Sequence, residues 1–100
     1  MSEKIERILI ADDDAVIREG LRRVLSGAGY DVETVSNGRA ALERLEAERF
    51  KLLITDLKMP GMSGLEVLRA IRTRQPELPV VLITGYAAID NAVEAMKNGA

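Results

Sequence analysis

Four acidic side chains and one hydroxyl stand where short apolar runs stop. Asp12, Asp13 and Asp14 follow Ile8-Leu9-Ile10-Ala11, Asp56 follows Leu52-Leu53-Ile54-Thr55, and Thr84 closes Val80-Val81-Leu82-Ile83. Such runs read as buried strands. If the strands lie parallel in one sheet, their carboxyl ends share an edge, and Asp12, Asp13, Asp56 and Thr84 converge there. Two carboxylates about 4 Å apart repel by roughly 4 kcal/mol at an effective dielectric near 20. Three charges in one place therefore call for compensation. A hard divalent cation such as magnesium is one resolution, since it accepts a couple of carboxylates with carbonyl and water oxygens. A raised pKa on one acid is the other.

The elements that must position these groups follow from periodicity. Residues 6 to 11 read as the first strand. Ile17, Leu21, Val24, Leu25 and Ala28 recur at helical spacing, which predicts a helix over 15–26 with those residues inward, stopped by Gly27 and Gly29. Helix capping accounts for Asp14 and at most one neighbour, not for all three acids. Val32, Thr34 and Val35 suggest a second, less buried strand. Asn37-Gly38 turns the chain into a helix to about Glu48 with Ala41, Leu42 and Leu45 inward. The central strand, 51–56, runs into Met59-Pro60-Gly61-Met62-Ser63-Gly64, which cannot continue it. Ser63 and Glu66 have capping-box spacing, opening a helix over 64–74 whose inner stripe is Val67, Leu68 and Ile71. Met59 and Met62 read as loop packing. After Pro76 and Pro79 come a fourth strand, 80–84, and a helix over 88–98 ending at Gly99.

Strands alternating with helices in this way form a parallel sheet covered on both faces. The fold class is α/β. In such a sheet the crevice beyond the strand ends is where ligands bind, which places Asp56 at a site.

Composition narrows the function. One hundred residues, 47% hydrophobic and 30% charged, suit a single soluble domain. The first residues, MSEKIE, hold no apolar signal core, and no run is long enough to span a membrane. The absence of cysteine excludes disulfides and thiolate metal sites and suits the cytoplasm. With 14 basic and 16 acidic residues interspersed, net charge −2, no broad basic surface for nucleic acid is expected.

The run ILIADDDAVIR, the stretch LLITDLKMPGMSGLEVL and the segment VVLITGYAAIDNAVEAMKNGA resemble receiver domains of two-component response regulators, nearest to those of NtrC-type transcriptional activators. The likeness covers nearly the whole chain. It implies a flavodoxin-like sheet of strand order 2-1-3-4, with Asp56 accepting a phosphoryl group from a sensor histidine kinase and switching a downstream output, transcription in this branch. It further implies magnesium held by Asp13, Asp56 and the Lys58 backbone carbonyl, with Asp12 acting mainly through a bound water. Thr84 is similar to the switch hydroxyl that donates to the phosphoryl group, while Lys58 and Tyr86, two positions beyond site residues, are candidates to tune rates. Receivers resemble a design of five strands and five helices. Residues 1–100 therefore read as a receiver domain incomplete at its carboxyl end, without the family's lysine, the proline after it and the aromatic partner of the switch threonine. On that reading the fourth strand is an open edge, and a homodimer through that strand and its helix, or a longer parent chain, is expected.

Two other readings compete with this non-enzymatic one. A phosphatase of haloacid dehalogenase type, working through an aspartyl intermediate, would carry an acid two residues after its nucleophile, where this chain has Lys58. An interaction module impaired in phosphorylation would have no need of the acidic set.

Overall fold

A computed structural model describes residues 5–83. Four strands, β1 (Arg7–Ala11), β2 (Asp31–Val35), β3 (Leu52–Asp56) and β4 (Val80–Ile83), alternate with three helices, α1 (Ala15–Gly27), α2 (Gly38–Ala47) and α3 (Gly64–Arg74). All pairings are parallel and the order is β2-β1-β3-β4, as expected. The expected fourth helix and Thr84 lie outside the described residues. Among the described residues no helix is long and apolar enough to cross a membrane.

The pleat sorts each strand into two faces. Leu9, Ala11, Leu53 and Val80 point to one side, where they join Ala41 and Leu45 of α2, Val67, Leu68 and Ile71 of α3, and Phe50, Met59 and Leu78 from the loops. Ile8, Ile10 and Ile54 point to the other, under Leu21 and Leu25 of α1. Leu9 and Leu53 are wholly buried, each contributing about 1.5–3 kcal/mol by leaving water. Strand β2 is only half-buried, in keeping with its interrupted apolar pattern.

Helix α1 departs from its expected stripe. None of its residues is buried; Ile17 is 46% and Val24 69% exposed, so Leu21 and Leu25 alone form the packed row. Spacing gives the direction of an apolar face but not the width of the surface that meets it. Here a single helix lies over this face among the described residues.

The loops end as local chemistry dictates. Asp14 caps α1 by accepting from the Val16 and Ile17 amides, Asn37 caps α2, and Ser63 and Glu66 close the capping box of α3 in both directions. Gly61 has φ +84°, which a residue with a Cβ adopts only at a cost. A guanidinium network ties the amino end of the sheet to α2, with Arg7 reaching Asp31, Glu33 and Glu48, and Arg44 reaching Glu33 and Glu48.

Candidate functional site

The register of β1 and β3 explains why the acids meet. The last paired residues are Ala11 and Thr55, so the next residue on each strand is an aspartate, Asp12 beside Asp56. Strand order makes this place special. The chain leaves β1 toward β2 on one side and β3 toward β4 on the other, which opens a crevice between the β1 and β3 ends.

One carboxylate oxygen each from Asp12, Asp13 and Asp56 lies within 4.8 Å of the others. The three differ in setting. Asp12 is 1% exposed, Asp56 is half-buried and Asp13 is exposed. Burial, joined by the charges of Asp56, Asp13 and Asp14, pushes the Asp12 carboxyl above the usual range, against the Asp14 amide that donates to its Oδ1 at 2.8 Å. Asp14 itself is occupied as the helix cap. Both resolutions foreseen for crowded carboxylates thus have a place here, a raised pKa at Asp12 and an oxygen cluster of cation size.

The chemistry of the donor set fits magnesium. It is all oxygen, with neither nitrogen nor sulfur, and it joins two carboxylates open to water with one buried carboxylate whose charge is disfavoured where it stands. Hard divalent ions suit such sites.

Asp56 is held by two contacts of its own and by one to the residue after it. The Lys58 amide approaches its Oδ1 at 3.4 Å, Thr55 Oγ1 donates to its carbonyl at 3.1 Å, and the Gly64 amide donates to the next carbonyl, Leu57, at 2.8 Å. Helix α3 begins hard against this strand end. A Cβ at Gly64 would lie 2.2 Å from the Asp56 carbonyl oxygen, so glycine is what lets the helix start there.

Of the expected site residues, the structure brings Asp12, Asp13 and Asp56 together. Lys58 is exposed in the loop beside them. Thr84 and Tyr86 lie outside the described residues; Thr84 is the next residue after Ile83, whose register partner is Asp56. Sequence reasoning missed three contributors. Gly64 reads as the end of a turn and the first residue of a helix, and Thr55 as strand, because neither spacing nor type signals a close approach to the Asp56 carbonyl. Nothing in the spacing gives Arg18 a role at the site, yet its Nη1 donates to the Asp12 carbonyl at 2.8 Å.

The comparisons with known proteins agree with this geometry. The family model described as the response regulator receiver domain matches residues 8–100. FleR, a response regulator protein of Pseudomonas aeruginosa, is 47% identical over 94 residues, which are 94% of this chain and 20% of FleR. The transcriptional regulatory protein ZraR of Klebsiella oxytoca is 41% identical over 100 residues, all of this chain and 23% of ZraR. The chain thus spans about a fifth of the length of these relatives. Among solved structures, a receiver domain protein of Clostridium thermocellum superposes with TM-score 0.89 at 35% identity, covering 96% of this chain and 78% of that one. The response regulator TrrA of Thermotoga maritima, solved in complex with Mg2+-BeF, gives TM-score 0.82 at 38% identity over 91% of this chain and 81% of that one.

Proposed function

The chain belongs to the response regulator receiver domain family, and from that premise we propose that it is a phosphoacceptor switch in which Asp56 takes a phosphoryl group from the phosphohistidine of a sensor kinase. One observation carries the reading: the β1–β3 register gathers Asp12, Asp13 and a half-exposed Asp56 within 4.8 Å at the crevice of the sheet.

An Asp56 carboxylate oxygen attacks phosphorus, the bond from phosphorus to the imidazole nitrogen breaks, and the electron pair leaves with the imidazole. The product is an aspartyl phosphate. Because charge spreads over the phosphoryl oxygens during transfer, the protein's task is mainly placement and neutralisation. Asp13, Asp56 and the Lys58 carbonyl would hold magnesium, with Asp12 contributing through a water, and the ion when bound would supply neutralisation of phosphoryl charge. Thr84 donates its hydroxyl to the phosphoryl group once transferred. The role is signalling rather than turnover. Residues 1–100 act as the receiver part of a cytoplasmic regulator whose output is transcription; the transcriptional output is supported by the name of ZraR, a transcriptional regulatory protein.

The test is incubation with a small acyl phosphate and magnesium, followed by measurement of acid-stable, base-labile phosphate. Labelling is expected in the wild-type chain and lost in Asp56→Asn. Equal labelling of both would overturn the assignment.

A further inference from the structure

Asp13 offers its carboxylate from an exposed position, so its aim depends on the backbone that carries it. The peptide planes around it are held one by one. Before Asp12, the amide of that residue donates to the Val35 carbonyl of β2 at 3.2 Å. After Asp13, the Asp14 amide donates to Asp12 Oδ1 at 2.8 Å. The plane between Asp12 and Asp13 is held by neither. Its carbonyl oxygen, beyond the reach of the sheet ladder, accepts from Arg18 Nη1 at 2.8 Å. Arg18 stands one turn into α1, and its amide donates to the Asp14 carbonyl at 3.0 Å, so the clamp is anchored in a helix that Asp14 itself caps.

A peptide unit is planar, so fixing its oxygen fixes both ψ of Asp12 and φ of Asp13. The φ of Asp13 sets where its Cβ and carboxylate point. We propose that Arg18 is a positioning residue for the cation site: through the Asp12 carbonyl it sets the orientation of the Asp12–Asp13 peptide and thereby brings the Asp13 carboxylate to bear beside Asp56. The proposal rests on the reading of the acidic cluster as a cation site given above.

Charge and geometry predict opposite signs, which makes the role testable. If Arg18 were only a positive charge near the site, removing it would tighten cation binding by relieving repulsion. If it positions Asp13, removal weakens binding, on the scale of the roughly 10- to 100-fold losses seen when groups that orient metal ligands are replaced.

The experiment is calorimetric titration of magnesium ion alone into the wild-type chain, Arg18→Met, Arg18→Lys and Asp13→Asn, with circular dichroism melts of each metal-free protein. Arg18→Lys keeps the charge and one donor on a more flexible stem, without the rigid fork. The expected order of affinity is wild type, then Arg18→Lys, then Arg18→Met weaker by about ten-fold or more, with Asp13→Asn weakest. Affinity in Arg18→Met equal to or above wild type overturns the positioning role while leaving the cation site intact. Should Arg18→Met fail to fold, the wild-type and Arg18→Lys pair decides: weaker binding at equal charge supports the role, and equal or tighter binding refutes it. A wild-type chain that binds no magnesium overturns the cation site itself, and the role of Arg18 with it.

Discussion

Neutralising Asp13 should make the metal-free protein more stable and the magnesium-loaded protein less so. Oxygens within 4.8 Å of one another repel by at least about 3.5 kcal/mol at an effective dielectric of 20 and at least about 0.9 kcal/mol at that of water. Asp13 is exposed, so the lower end applies to its two interactions, with Asp12 and with Asp56. Its repulsion of neighbouring Asp12 persists in the unfolded chain and partly cancels, which leaves about 1 kcal/mol to be gained by Asp13→Asn. For a domain of this size that is a rise of about 4–8 °C in the thermal midpoint. Magnesium reverses the comparison, since a ligand at a hundred times its dissociation constant adds about 2.7 kcal/mol to the form that binds it, and Asp13→Asn binds it weakly. Differential scanning calorimetry of both proteins, in chelator and in saturating magnesium, reads the two melting points in each condition. The expected result is a crossing, with the variant above wild type in chelator and below it in magnesium. A variant that melts below wild type in chelator, or two proteins that respond alike to magnesium, would refute the reasoning.

Other consequences are narrower. Gly64→Ala places a Cβ against the Asp56 carbonyl and should cost about 3 kcal/mol in urea unfolding, with loss of magnesium binding in whatever fraction stays folded. Ser63→Ala removes one half of the α3 capping box and should cost about 1 kcal/mol in the same assay while leaving magnesium affinity near wild type. Hydrogen bonding from Arg44, with the charges of Arg44 and Arg7, holds the Glu33 carboxyl below the usual range. Its contribution is full above the unfolded carboxylate value and fades as pH falls through the lower folded one, so Glu33→Gln should cost about 0.5–1 kcal/mol at pH 7 and progressively less in acid. Urea midpoints of both proteins across that pH range check this; a cost that grows in acid would contradict it.

Much of this site is legible in the residues because its parts obey local rules. Buried strands announce themselves by unbroken apolar runs, so the ends of β1 and β3, and the aspartates beyond them, are visible before any fold is known. Ser63 and Glu66 mark the start of α3 by spacing alone. The meeting of Asp12 with Asp56 is a further step, since it needs β1 and β3 to be neighbours, which follows from the 2-1-3-4 order and not from either strand. What escaped is of another kind. The exposure of Ile17 and Val24 depends on how much surface α1 meets, a tertiary quantity. The reach of Arg18 back to Asp12 is the choice of a long side chain among rotamers, and the need for glycine at 64 comes from a backbone contact with Asp56. Periodicity carries information on faces, and these features are distances.

The most direct measurement is anomalous diffraction from crystals soaked in manganese, an oxygen-preferring stand-in for magnesium. A single manganese peak in contact with carboxylate oxygens of both Asp13 and Asp56, and absent in Asp56→Ala crystals, is the predicted result. Ordered aspartates with no peak between them, or a peak bound to one of them and unaffected by loss of Asp56, would contradict the reading of these three residues as one site.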